Sequence, residues 1–185
     1  MAPRYHSPEE EIGLGPACWM WDYLRRSGAA GFFLPLSGGA DSASTAAIVG
    51  IMCNLVCDAC DAGDEQVLAD ARRATGQPEG SDWAPPSAQA LAGLVMHSAF
   101  LGTVNSSTAT KDRAAALAEE IGIHHHSVVI DQMVSAVTDV FEDTFGQTPK
   151  FELHGGTRAE DIALQNIQAR LRMVESYLLI NDSSA

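Results

Sequence analysis

The stretch from Gly31 to Cys57, GFFLPLSGGADSASTAAIVGIMCNLVC, constrains the chain more than any other. It opens with an apolar run of strand type, Phe32-Phe33-Leu34-Pro35-Leu36, and turns through Ser37-Gly38-Gly39. An Ala-rich run with helical spacing follows. Strand, glycine turn and helix start are how an α/β protein builds an anion site. The glycines allow positive φ and close approach of backbone to ligand. The first free amides of the helix then face that ligand, and Ser37 and Ser42 add hydroxyl donors. Asp41 is the unexpected residue, because a carboxylate beside a phosphate repels it unless a cation lies between them. The combination predicts a magnesium–pyrophosphate cradle, with Asp41 as the metal ligand.

The form of the loop narrows the nucleotide chemistry. G-x-x-x-x-G-K-[ST] is absent, and the next lysine is Lys111, which excludes the kinase-type phosphate loop. G-x-G-x-x-G is absent too. Ser37-Gly38-Gly39-Ala40-Asp41-Ser42 instead resembles the SGGxDS loop of the ATP pyrophosphatase (PP-loop) superfamily. That resemblance implies cleavage of ATP between the α and β phosphates and adenylation of a substrate oxygen. A bare S-G-G turn is also common as a plain strand-to-helix connection. Here the flanking strand, the helix and Asp-Ser favour the ATP reading.

At 185 residues the chain is expected to form one domain with a sizeable core. With 46% hydrophobic and 19% charged residues it reads as globular. Its apolar segments read as too short and interrupted to cross a bilayer, and Met1 to Arg4 carries no secretion signal. A net charge of −13 argues against nucleic acid or an anionic membrane as partner. With eleven basic residues, two of them lysines, an ATP site must concentrate its positive groups or recruit a metal. Four cysteines without an export signal suggest free thiols in a reducing, cytoplasmic setting. Cys53, Cys57 and Cys60 have the C-x-x-x-C-x-x-C spacing of a radical-SAM cluster motif, whose cysteines lie on a loop after a barrel strand. On a helix these positions share one face, and they read more simply as buried small apolar residues.

In chain order, Ser7-Pro8-Glu9-Glu10 predicts a capped helix start, with Gly13 and Gly15-Pro16 breaking and restarting the helix before Ala17 to Arg26. Trp19, Met20, Tyr23 and Leu24 should pack on the sheet. The helix after the loop should reach about Cys57. A short helix is expected at Glu65 to Arg73, then a Gly-, Pro- and Ser-rich excursion at Gly76 to Ser87. Leu94 to Leu101 reads as a second strand, and Thr103 and Asn105 beyond it are candidate ligand contacts. Asn105-Ser106-Ser107 is equally a plain cap for the next helix, Thr108 to Ile121, which Gly122 should stop. Val128-Val129-Ile130 forms a third strand. His124-His125-His126 alternates faces in an extended chain, so it reads as strand entry rather than a zinc site. Asp131 caps a helix to about Phe145, and a loop follows to Arg158. The last helix, Ala159 to about Ile180, carries Leu164, Ile167, Leu171, Val174 and Leu178 as a core stripe. Asn166 and Arg170 lie four apart on another face.

The segments outside the loop carry a more specific likeness. Pro3 to Ile12 (PRYHSPEEEI), Leu14 to Trp19 (LGPACW), Asn105-Ser106-Ser107, Gly155-Gly156 and Leu164 to Met173 (LQNIQARLRM) resemble the synthetase domain of eukaryotic-type glutamine-dependent NAD synthetases. The likeness spans nearly the whole chain and is weakest over Asp61 to Ala90. It implies an α/β fold of the adenine nucleotide alpha hydrolase-like (PP-loop) type, a parallel sheet with helices on both faces. It divides the chain into N-terminal helices (1–30), the loop strand and helix (31–57), a variable excursion (58–93) and the remaining strands and helices (94–185). It also implies a reaction: ATP adenylates deamido-NAD, and ammonia displaces AMP to give NAD(+). By the same likeness Pro35, Leu36, Ser37, Gly38, Gly39, Ala40, Asp41 and Ser42 hold ATP, and Thr103, from its place at the end of the second strand, is expected to join them. Mg2+ sits on Asp41, and Ser37 is the loop residue marked as catalytic, read here as a phosphate donor. Arg170, and less directly Asn166, would contact deamido-NAD. Val104 stands where relatives are often acidic or polar, a departure from the family pattern at a position where a side chain could contact nucleotide. A full-length homo-oligomer with a nitrilase-like glutaminase domain supplying ammonia is expected. That domain has no counterpart in these residues, nor has the Gly-Ser-Ser-Asn segment expected after the last helix. The fold is therefore expected to be incomplete at its C-terminus and turnover by this chain alone near background. The alternative is an inactive remnant that binds only nucleotide or partner subunits.

Overall fold

The computed structural model describes residues 5–78 and 80–182, so Pro3, Arg4 and Ser183 to Ala185 of the sequence motifs lie outside the described residues. Three parallel strands form one sheet in the order β1 (Phe32–Pro35), β2 (Met96–Gly102), β3 (His124–Val129). Phe32 pairs with Met96 and Pro35 with Ala99; His97 pairs with His124 and Gly102 with Val129. Alternation along the strands divides the sheet into two faces. Phe32, Leu34, Met96 and Phe100 join the larger core, built from α1 (Pro8–Ser27), α2 (Ala40–Asp61), α3 (Glu65–Ala74), α4 (Ala88–Val95) and α5 (Thr108–Ile121). Phe33, Ala99, Leu101 and Val128 form a smaller cluster under α6 (Asp131–Phe145) and α7 (Arg158–Asp182). The expected parallel sheet with helices on both faces is therefore present.

Several elements depart from the sequence expectation. α1 runs unbroken through Gly13, Gly15 and Pro16. Pro16 forfeits one helical hydrogen bond, but Gly13, Ala17 and Leu24 are buried on one face, and Gly13 faces Ile51 of α2. Packing on α2 outweighs the local breakers. Trp19 and Tyr23 stack on each other at the surface, 5.9 Å between ring centres, rather than on the sheet. α2 continues past Cys57 to Asp61, where Cys57 and Cys60 still pack against the core. It is long and apolar enough by length and composition to cross a membrane, contrary to the expectation, yet in this fold its buried side serves the core.

α4 occupies a stretch where the sequence pattern suggests a loop and the start of a strand. AQALAGLV is apolar apart from Gln89, a pattern that strand and buried helix share; packing of Leu91, Ala92 and Val95 with α2 in the core selects the helix, and Ser87 caps it by accepting from the Ala90 amide at 3.1 Å. β3 begins at His124 rather than Val128, and Ile130 is already the N-cap of α6. In the loop before α7 a single 3-10 turn forms at Glu152–His154. Of the expected α7 stripe only Leu164 is buried, while Val174 and Leu178 are exposed. The helix turns Arg172, Ser176 and Leu179 inward instead.

Candidate functional site

The crevice beyond the carboxyl ends of β1 and β2 is where a parallel sheet binds ligands, and here it holds a cavity of about 430 Å3. Pro35, Leu36 and Ser37 line one side, and Ser106, Ser107 and Thr110 another. The loop between β1 and α2 is held by its own hydroxyls. Ser42 Oγ accepts from the Ser37 amide at 3.2 Å and lies 3.0 Å from Ser37 Oγ, which accepts from the Gly39 amide. Gly38 has φ 76°, and a Cβ there would lie 2.0 Å from the Thr110 carbonyl oxygen. Two independent constraints thus require glycine at that position. Gly39 caps α2 without a side-chain hydrogen bond, and the first internal bond runs from Ala43 to Gly39. The amides of Ala40, Asp41 and Ser42 keep the donor capacity of a helix N-terminus. Asp41 stands exposed in that first turn, its carboxylate without a hydrogen-bond partner among the described residues.

The loop after β2 forms the facing wall. Ser106 Oγ accepts from the Thr103 amide at 2.8 Å, and Asp131 of α6 accepts from the Val104 amide at 2.9 Å. Ile130 donates to the Gly102 carbonyl at 2.9 Å, continuing the β2–β3 seam into this loop. Ser106, not Thr103, reaches the cavity; the Thr103 hydroxyl is 3.4 Å from Ser106 Oγ. Asn105 is exposed, and Ser107 caps α5 without a side-chain bond.

Arg172 completes the cavity. Its Nε donates to the Leu101 carbonyl at 2.9 Å. Arg170 and Asn166, the expected substrate contacts, are exposed and do not line this cavity. Two positions on a helix are about 200° apart, so Arg172 and Arg170 face different ways. Among the sequence-predicted residues, Pro35, Leu36 and Ser37 line the cavity, Gly38 to Ser42 continue from Ser37 into the turn and first turn of α2 beside it without lining it, and Thr103, Asn166 and Arg170 are also off its wall.

The other candidates lie elsewhere. Cys53 is buried in the core, and burial pushes its thiol up to about 12. Burial also raises Cys57 and Cys60. All four cysteines are free. No group of three or more His, Cys, Asp or Glu that could hold a metal occurs among the described residues, either at the cysteines or at His124-His125-His126.

A family model described as NAD synthase matches residues 17–185, nearly the whole fold just described. The chain belongs to the NAD synthase family. It is 56% identical over 176 residues to a glutamine-dependent NAD(+) synthetase of Saccharomyces cerevisiae and 50% identical over 175 residues to that of Homo sapiens. Each alignment covers 95% of this chain and 24% of the relative, so the chain spans about a quarter of the length of these relatives. A crystal structure of a glutamine-dependent NAD(+) synthetase from Cytophaga hutchinsonii superposes with a TM-score of 0.80 at 27% identity, covering 97% of this chain and 30% of that one. A second, from Acinetobacter baumannii in complex with ADP, shares the fold at 22% identity, with a TM-score of 0.64. These likenesses place the fold in the PP-loop, adenine nucleotide alpha hydrolase-like class of NAD synthetases.

Proposed function

We propose that this chain carries the ATP-binding part of an NAD synthetase, a ligase that forms a C–N bond. A nicotinate carboxylate oxygen of deamido-NAD attacks the α-phosphorus of ATP, and the bond to the bridging oxygen breaks to release pyrophosphate. Ammonia then attacks the acyl carbon of the adenylate; AMP leaves, and the nitrogen's surplus proton passes to solvent. The products are NAD(+), AMP and pyrophosphate. One observation carries the reading: Gly38 pressed against Thr110 leaves room for backbone and none for a side chain, at the mouth of a helix with free amides. The loop from Pro35 to Ser42 would hold the phosphates of ATP by these amides, in the manner of an anion site at a helix start.

Ser37 donates to phosphate rather than attacking it. Its hydroxyl partner is Ser42 at 3.0 Å, and no histidine or carboxylate is hydrogen-bonded to it among the described residues. Asp41 fits a magnesium ligand, since Mg2+ takes one or two carboxylates and fills its shell with phosphate oxygens and water. When bound, the metal would neutralise charge on the departing pyrophosphate. Thr103 acts by holding Ser106 at the wall. Arg170 and Asn166, exposed on α7, would meet deamido-NAD on the outer side of that helix. Exposed Val140, Phe145, Val174 and Leu178 on α6 and α7 support a homo-oligomer of the longer protein. Ammonia would come from glutamine hydrolysed by a nitrilase-like glutaminase domain of the kind expected in the relatives. The free thiols fit a cytoplasmic setting.

Calorimetric titration of the chain with ATP and Mg2+ tests the reading. Saturable heat is expected, weakened in Asp41→Asn when magnesium is present and little changed when it is absent. No heat from the unsubstituted chain would overturn the assignment.

A further inference from the structure

The site has a charge problem that the loop alone does not solve. ATP brings a strongly anionic tail to a chain of net charge −13, and the loop contributes Asp41 rather than a lysine. Four basic residues are committed elsewhere, and Lys150, Arg158 and Arg170 are exposed and off the cavity wall. Arg25 and Arg26 pair with Asp22, Arg73 pairs with Asp70, and Arg72 donates to the Trp83 carbonyl at 2.6 Å. Lys111 and Arg113 are exposed on α5 and do not line the cavity.

Arg172 differs from all of these. It is half-buried, and it is the one cation among the residues that line the cavity shared with Ser37, Ser106 and Thr110. Its anchor explains its position. The β1–β2 ladder ends at Pro35 and Ala99, with one further bond from the Leu36 amide to Ala99. β2 runs on to Gly102, so the Leu101 carbonyl lies past the last β1 partner, and Arg172 Nε supplies its donor at 2.9 Å. That single bond fixes the plane of the guanidinium and leaves the two terminal amino groups uncommitted. No carboxylate pairs with Arg172 among the described residues. A planar, permanently charged fork held on one edge with its other donors open suits a phosphate.

We propose that Arg172 binds a phosphate of ATP across the cavity from the Ser37–Ser42 loop, and that its bond to Leu101 pre-orients it for this contact. The proposal rests on the ATP reading above and adds an ATP contact on α7 distinct from Arg170, which the family likeness assigns to deamido-NAD and which is exposed off this cavity. Arg172 then supplies the positive charge that the loop lacks and holds the nucleotide while the α-phosphorus is attacked.

The test separates the charge from the structural bond. Arg172→Gln keeps a side-chain N–H that can reach the Leu101 carbonyl but removes the charge; Arg172→Lys keeps the charge and loses the planar fork. ATP binding is measured by calorimetry at low and high salt, beside the melting temperature of each variant. The expected result is that Arg172→Gln melts near the unsubstituted chain but binds ATP roughly ten- to a hundredfold more weakly, with a flatter salt dependence. Arg172→Lys should retain part of the affinity. Equal ATP affinity in Arg172→Gln and the unsubstituted chain would overturn the role of Arg172 and leave the ATP reading standing. So would a loss of affinity in both variants that merely follows their melting temperatures. Failure of the unsubstituted chain to bind ATP would remove the underlying reading and this one with it.

Discussion

Gly38 shows how much a single residue decides here. Its φ of 76° is a conformation that side chains of L-residues rarely adopt, and the Thr110 carbonyl occupies the place of its Cβ. Gly38→Ala would have to move the loop away from α5, at a cost of roughly 1–3 kcal/mol, and the displaced amides would no longer converge. Loss of ATP binding with a lowered melting temperature is the expected result, and calorimetry with thermal unfolding measures both. At this scale the loop was legible in the sequence because its geometry is local: glycine turn, hydroxyls and helix start lie within six positions. Ser106 and Arg172 were not, because what brings them to the cavity is long-range. Nothing near Arg172 in the chain shows that a carbonyl 71 positions earlier ends unpaired. The apolar stripe of α7 also misled, since Val174 and Leu178 lie outward while Arg172, Ser176 and Leu179 turn to the sheet.

Elements in this fold are joined by a few buried polar ties as well as by apolar packing. Asp70 of α3 is 3% exposed, and Arg73 Nη2 donates both to Asp70 at 2.6 Å and to the Arg25 carbonyl of α1 at 2.7 Å. Gln66 adds a donor at 3.2 Å, and Arg25 lies 3.9 Å from the carboxylate. Arg73→Ala removes the near cation and uncovers a buried charge, so a loss of roughly 1–3 kcal/mol in unfolding free energy by urea titration is expected. Breaking the solvated Asp22–Arg26 pair should shift the urea midpoint far less. Asp70 reads in sequence as one more acidic residue on a surface helix; only the packing of α3 against α1 makes it structural. The same lesson holds for α1 and α4. Local breakers or an ambiguous apolar run suggested one state, and contact with α2 selected another.

Taken whole, the sheet has a seam of histidines at the end opposite the cavity that Ser37 and Arg172 line. His97 stacks on His124, 5.0 Å between ring centres, and its Nδ1 is buried without a hydrogen-bond partner among the described residues. His125 lies across from Ser98, 2.8 Å from the hydroxyl through Nδ1, with Nε2 buried and unpartnered among the described residues. Burial first, and the neighbouring imidazoles His124 and His126 second, hold His97 below the ordinary value of 6.5; burial and His126 do the same for His125. Above about pH 6.5 both folded and unfolded chains carry neutral rings, and these groups contribute no pH dependence. As the pH falls through 6.5 the unfolded chain binds protons first, so stability declines until the folded rings protonate in turn. Relief of self-repulsion in a chain of net charge −13 works the other way, but few carboxylates titrate between pH 7.5 and 5.5. The histidine effect should therefore dominate that window. Urea midpoints at the two pH values measure it: the unsubstituted chain should lose stability on acidification, and a His97→Gln, His125→Gln double variant should lose markedly less. A midpoint that rises on acidification, or an equal loss in the double variant, would mean that the β2–β3 seam tolerates charge and that the acid response arises elsewhere.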